Sequence, residues 1–533
     1  MSASREKKQR QNDPAQGLTQ KQQKELQEKK AAKRRAVGYT VLGVIVVILV
    51  AALLVWNSGI FQRRVTAVSV GGREYTVTDV EYYYNQARIS EYYNAAFYGT
   101  SSYDSTVDPA EQYVDEAQTQ TYHDYFLEQA VNALTEAAAL ENAAAEAGYT
   151  LTDEDKASVE ENYETIRQQG ESSGYTNMAG YLKAAYGKYM TPAALRTCLE
   201  RVALINGYYN SYYDSLEYTD EEIQAYYEEN KDDLDSYTYR YVFVDGSVPE
   251  TTDENGETVE PTDAETQAAM QAAKAQADSF QAALEASDDK ETTFAELAPD
   301  FVSETSRANY EEDPDFSLHT TMGNSLPSGY SSWLKESGRT AGDVSVIESG
   351  SGYYVVLFLG RALDETPTAD IRHILVKAEL TQEDDAATED VDESTIPTQE
   401  ALDAAKAEAE DLLAQWESGD KTADSFGALA EEYSDDTGSN TNGGMYNEVY
   451  KGYFSIFDSW LFGEDHQSGD TTLIENTNSG QQGWCVVYFQ DWNDPTWKLE
   501  VLNTFRSEDV QTWLTDIKEG LEAVQGDGMK YMQ

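Results

Sequence analysis

This chain of 533 residues is poor in cysteine and histidine and, beside its acids, in basic residues. Its two cysteines, Cys198 and Cys485, lie far apart, so it is no disulfide scaffold. Four histidines without clustered Cys/His spacing leave no zinc motif, and no metal is expected. There is no G-x-S-x-G, P-loop, H-E-x-x-H or dinucleotide fingerprint, so no cofactor is expected. The run DDTGSNTNGG lacks the alternating acids and terminal Glu of a calcium loop. Only 38 Lys and Arg stand against 97 Asp and Glu, a net charge of −59. Such a chain repels nucleic acid, which is excluded as a partner. With 35 Gly and 11 Pro it is not low-complexity, and at 40% hydrophobic it can build a packed core.

The charge is unevenly spread. Residues 1–35 hold eleven Lys and Arg against four acids, so the remainder carries −66. Residues 36–56 contain no charge. As a helix rising 1.5 Å per residue, that stretch spans a hydrocarbon core of roughly 30 Å. The basic flank precedes it, so the positive-inside rule expects a cytoplasmic tail at 1–35, a transmembrane helix at 36–57 and an extracytoplasmic remainder. A cleaved signal peptide is the alternative, and it exports the remainder equally. No cysteine lies near the segment, which argues against a lipid anchor.

Residues 65–77 (VTAVSVGGREYTV) alternate around Gly71-Gly72 and predict a hairpin. Thr78 and Glu81 fit a capping box opening a helix. From there to about residue 230 the pattern is helical. Leu127, Val131, Leu134 and Ala138 share a face, Gly148 stands where a C-cap is wanted, and Thr219 and Glu222 cap a later helix. The many tyrosines here, Tyr82 to Tyr84 among them, are expected chiefly in packing. Their other reading is an aromatic surface that holds unfolded chains.

An internal repeat covers the middle of the chain. YRYVFV at 239–244 matches IRHILV at 371–376, and FAELAPDF at 294–301 matches FGALAEEY at 426–433. Trp333-Leu334 and Gly342-Asp343 match Trp460-Leu461 and Gly469-Asp470. GYYVVLF at 352–358 matches GWCVVYF at 483–489. The order is kept throughout, and the offsets drift only at polar stretches, as insertions in loops would make them. Each copy has a strand and then an amphipathic helix. The buried faces are Met270, Ala273, Ala277, Phe280 and Leu284 in the first, and Leu402, Ala405, Ala409, Leu412 and Trp416 in the second. A short helix and two closing strands follow. Acidic loops are expected at 246–261 and 378–399.

With HILV at 373–376, YSDD at 433–436 and the closing GWCVVYF, the second copy resembles the parvulin family of peptidyl-prolyl isomerases over a whole domain. The order of strand pair, helices, insert and last helix (505–524) resembles the SurA and PrsA group of extracytoplasmic foldases. The resemblance implies an α+β fold. Its parts are a transmembrane helix, a helical SurA/PrsA-like chaperone domain at 65–232, and two tandem parvulin-like domains at 236–364 and 368–493. Each of the two has a four-stranded sheet with helices, and a C-terminal helix at 494–533 returns to the helical domain. The first parvulin-like copy is degenerate.

Isomerising an X-Pro bond needs neither nucleophile nor cofactor. A catalyst must favour the twisted amide, with an apolar grip on proline and polar groups near the carbonyl. The resemblance assigns the catalytic group to His373, Asp436 and Cys485, and the substrate contacts to Ser434, Met445, Phe454 and Phe457. Trp460 and Phe462 are expected behind them. The family reads G-[apolar]-H in its last strand, whereas this chain has Gly483-Trp484-Cys485. A thiol is a weaker donor and acceptor than an imidazole. The first copy has Tyr241 and Tyr354 at the two histidine places, Val302 opposite Ser434, and a loop histidine, His319. The implied partners are unfolded or proline-containing exported proteins and, through one helix, a membrane. The rival reading is a holdase or envelope scaffold without catalysis. The sequence assigns no oligomeric state.

Overall fold

The computed structural model describes residues 20–252, 258–380 and 397–532. The first nineteen residues of the basic tail and the middle of both acidic loops fall outside that set. The chain is mixed α and β, and its compact units are two: one runs up to Glu217 and resumes at Glu508, the other is Tyr218–Ser507. The helix Gln20–Asn57 carries an apolar stretch, Tyr39–Trp56, long enough to cross a membrane and with none of it buried.

In the first unit, strands β1 (Thr66–Val70) and β2 (Arg73–Thr76) form the hairpin read from the sequence. Gly71 and Gly72 turn it, with φ of +56° and +82° that a side chain would resist. The next helix, Val77–Tyr93, is not capped by Thr78 and Glu81. Thr76 caps it, with Asp79 closing the box on the Thr76 N–H at 2.7 Å. The reason is burial. Glu81 lies inside, accepting the Tyr189 N–H at 2.9 Å, and burial pushes its carboxyl up to about 7. The helices Tyr122–Ala147, Asp153–Ser172 and Pro192–Asp214 follow, the first ending at Gly148 in the left-handed region. Leu134 and Ala138 pack on Val68, Val70 and Val80, with Leu127 and Val131 beside them.

The tyrosines divide. Tyr82 is buried in the core, whereas Tyr92 and Tyr93 are exposed. The C-terminal stretch is not one helix. The helix Thr496–Lys518 places Trp513 against Tyr208 and Tyr212, and a short strand, Val524–Gln525, then pairs with β1.

The second unit contains the duplication. Strands β3 (Ser236–Asp245), β4 (Leu318–Met322), β5 (Val344–Ser349) and β6 (Gly352–Ala362) form an antiparallel sheet in the order β4-β3-β6-β5. Strands β7 (Pro367–Lys377), β8 (Met445–Val449), β9 (Thr471–Asn476) and β10 (Gly483–Pro495) form another in the order β8-β7-β10-β9. The two orders are the same. Val356 stands opposite Tyr241 in one sheet, and Val487 opposite His373 in the other.

The matched Gly-Asp pairs have a common task. Gly342 N–H donates to the Phe358 carbonyl, and the Phe358 N–H to the Asp343 carbonyl. Gly469, Phe489 and Asp470 repeat both bonds. Helices Asp263–Glu285 and Gln399–Ser418 cover one face of each sheet, burying Phe280 and Leu284 in one and Leu412 and Trp416 in the other. Each such side chain contributes about 1.5–3 kcal/mol of burial. His319 is not in a loop. It lies on the edge strand β4, with its ring 4.9 Å from that of Tyr241, because the chain after Ser317 pairs with β3.

Candidate functional site: a histidine–carboxylate pair in an aromatic setting

Strand β7 carries His373 on the same face as Ile371 and Leu375, since side chains alternate along a strand. The segment after the helix Ala423–Tyr433 is pinned along this strand. Ser434 Oγ accepts the Leu375 N–H at 3.1 Å, and the Asp435 N–H donates to the Leu375 carbonyl at 2.8 Å. The Asp435 carboxylate accepts the Lys377 N–H at 2.8 Å. The far end of the segment is pinned too, by the His373 N–H donating to the Gly444 carbonyl at 2.9 Å. Gly443 and Gly444 have φ of +71° and +72°, and a Cβ on Gly444 would meet the His373 carbonyl at 2.2 Å. Only glycine permits that approach.

Held at both ends, the loop delivers Asp436 to the imidazole. Asp436 Oδ2 lies 2.7 Å from His373 Nε2. The same oxygen accepts the Ser439 hydroxyl at 2.5 Å and the Tyr446 hydroxyl at 2.9 Å, while Oδ1 accepts the Gly438 N–H at 3.1 Å. The histidine bond, together with these donors, holds the Asp436 carboxyl well below the usual carboxylate range. An ionised carboxylate only accepts, so Nε2 carries a proton in this bond. The other ring nitrogen, Nδ1, is buried with no hydrogen-bond partner among the described residues.

The surroundings are aromatic. The rings of Tyr446, Phe457 and Phe454 lie 5.3, 5.8 and 6.0 Å from the imidazole. Phe457 and Phe454 come from the helix Ser455–Leu461 and its N-cap. Tyr450 and Tyr453, about half exposed, continue this surface outward. His373 itself is 5% exposed. It is not among the residues lining four hollows of about 390 to 1060 Å³. A ligand therefore meets the aromatic surface first.

Of the residues singled out by sequence, His373, Asp436, Phe454 and Phe457 come together. Met445 does not join them. It pairs with Arg372, on the opposite face of the sheet, and Tyr446 takes the place beside the imidazole. A one-residue step along a strand exchanges faces, and the sequence did not fix that register. Ser434 is buried, with its hydroxyl accepting from two backbone N–H groups, so it holds the loop and offers little to a ligand. Cys485 stands opposite Leu375 on the His373 side, fully buried among Leu375, Phe457 and Val487. Burial pushes its thiol up to about 12. No hydrogen bond joins it to His373 among the described residues. Trp460 packs on His466 at 4.2 Å, and Phe462 lies near Trp492 at 6.1 Å. Sequence reasoning missed Tyr446 and Ser439. A polar residue three positions after Asp436 and a tyrosine two positions after the Gly443-Gly444 turn were the available signals.

A family model described as Rotamase, PPIC-type PPIASE domain, matches residues 373–491, from His373 through most of β10. No curated protein matches the chain. Among solved structures, the peptidylprolyl isomerase PrsA from Bacillus cereus is 13% identical, covering 50% of this chain and 88% of its own at a TM-score of 0.18. The foldase PrsA from Streptococcus pneumoniae is 17% identical, covering 46% and 73%, also at 0.18. A match to a SurA-like chaperone structure from Campylobacter jejuni is 14% identical, covering 40% and 70%, at 0.16. At those scores the likeness carries no inference about this chain. The family match falls on the sheet and loop that pair His373 with Asp436: the chain carries a parvulin-type peptidyl-prolyl isomerase domain over residues 373–491.

Proposed function

We propose that this chain is a membrane-anchored foldase that isomerises X-Pro bonds in exported, unfolded proteins. The observation that carries the catalytic reading is the 2.7 Å bond between His373 and Asp436 beside three aromatic rings. An X-Pro amide crosses its barrier in tens of seconds without help. Each 1.4 kcal/mol of preference for the twisted amide quickens it about tenfold. Phe454 and Tyr446 grip the proline ring, with the buried Phe457 packed behind Phe454. The imidazole, fixed by Asp436, orders the field near the carbonyl as resonance is lost. Asp436 is a positioning residue here, because its oxygens are already occupied by His373, Ser439, Tyr446 and Gly438. The apolar stretch Tyr39–Trp56 supports anchoring, and the basic residues before it support a cytoplasmic N-terminus with the rest outside.

A second reading, a holdase without catalysis, is favoured by one observation. His373 Nδ1 is buried with no hydrogen-bond partner among the described residues, where the family has a second histidine and this chain has Cys485. Cis/trans relaxation of a proline peptide decides between them, measured with the full chain in detergent and with His373→Ala. Acceleration that disappears in the variant supports the enzyme. No acceleration by the unaltered chain leaves the holdase, which delayed aggregation of an unfolded client then tests.

A further inference from the structure

The first repeat has lost the histidine and the acid, and a hollow stands where they would meet. Tyr241 occupies the His373 place by strand register, and Phe243 and Tyr354 occupy the places of Leu375 and Cys485. The segment matching the Asp436 loop is instead a helix, Glu304–Glu312. Its Glu304, at the place of Asp436, is exposed and pairs with Arg307 at 3.4 Å. The space left open is about 390 Å³, within the range of small ligand sites.

The lining of this hollow has a definite chemistry. Its walls include the rings of Tyr241, Phe243 and Tyr310. Neither tyrosine hydroxyl has a hydrogen-bond partner among the described residues. Asp245 lies at the end of β3 and also lines it. This carboxylate accepts only from the N–H and hydroxyl of Ser247, at 2.8 Å each, and no cation pairs with it among the described residues. Ser303 and Ser306 add hydroxyls, and no Lys or Arg contributes to the lining. Aromatic faces attract cations, more so when water is partly excluded. An unneutralised carboxylate beside them acts in the same direction, and the chain as a whole is strongly acidic.

We propose that the hollow of the first repeat takes the side chain of an arginine or lysine from an extended client segment, its cationic head between the tyrosine rings and Asp245. This rests on the foldase reading for the nature of the client and adds a charge preference to it. The first repeat then holds a basic stretch of client while the second acts on its prolines.

The test uses the full chain in detergent and a fluorescent pentapeptide without proline, Gly-Ser-Arg-Ser-Gly, against the same peptide with Gln for Arg. Binding is read by anisotropy. The Arg peptide should bind at least tenfold more tightly, and salt should erode the difference. Ser306→Lys places a cation in the hollow from a part-exposed helix position and should abolish the preference. Asp245→Asn should weaken the Arg peptide several-fold. Equal binding of the two peptides, no binding of either, or an Arg preference that survives both substitutions would overturn the proposal. Isomerisation of an uncharged proline peptide, measured on the same Ser306→Lys protein, should not change. Loss of that activity in the unaltered chain would sink the isomerase reading instead, so the two failures are separable.

Discussion

The two repeats of the second unit are one fold used twice, and only one of them carries a histidine hydrogen-bonded to a carboxylate at the matched places. Both keep the sheet order, the Gly-Asp bonds to the closing strand and an arginine in the first strand. Arg240 donates to the Pro314 carbonyl and Ser317, and Arg372 donates to the Gly443 carbonyl, so each ties down the stretch before an edge strand. Both also keep a glycine opening the closing strand, because a Cβ there would meet the Val244 carbonyl at 2.3 Å or the Val376 carbonyl at 2.1 Å. What differs is few side chains and one loop. Backbone constraints are shared by everything that folds this way, whereas a site needs particular groups at particular atoms.

The largest effect expected on activity is from His373→Ala, which should lower kcat/KM for a proline peptide by about 100-fold. Tyr241→His in that background should restore nothing, since Glu304, at the place of Asp436, is exposed and paired with Arg307. Recovery of activity would break the comparison. Asp436→Asn should cost about tenfold in the same assay and also alter acid sensitivity. The Asp436 carboxyl sits lower in the folded chain than its unfolded value of about 3.9. Its contribution to stability is therefore full above about pH 4 and is lost as pH falls below that. A pH titration followed by tryptophan fluorescence should show acid unfolding of this repeat, shallower in Asp436→Asn.

Gly352→Ala and Gly483→Ala should each destabilise their own repeat by about 2 kcal/mol or more, read by urea unfolding. Unequal losses would show that the repeats do not share this constraint. Tyr446→Phe removes one donor to Asp436 and should cost about 1 kcal/mol, with a few-fold loss of activity. Cys485→Ala should change activity least, by less than twofold, and the native thiol should resist labelling reagents because burial keeps it protonated.

Much of this was legible in the chain. The Gly71-Gly72 turn, the buried faces of both amphipathic helices and the duplication follow from periodicities that local sterics and burial impose. His373 and Asp436 were legible through the family resemblance, because their separation in sequence says nothing of their meeting in space. Thr76 displaced Thr78 as a cap because tertiary burial took Glu81 away from the helix end. The resemblance pointed to Met445, and the structure puts Tyr446 beside the imidazole instead, because sheet register is set by partners distant in sequence.

By itself the sequence determined the apolar span, the acidic excess after it, the repeat and the isomerase resemblance, all of which are properties of residue order and composition. Only the tertiary structure decided which face of the sheet each residue takes, that Ser434 and Asp435 pin a loop, and that the imidazole Nδ1 is buried with no hydrogen-bond partner among the described residues. The physical reason is that hydrogen-bond partners and burial belong to pairs of segments brought together by folding, and one strand slipping by one residue reassigns all of them.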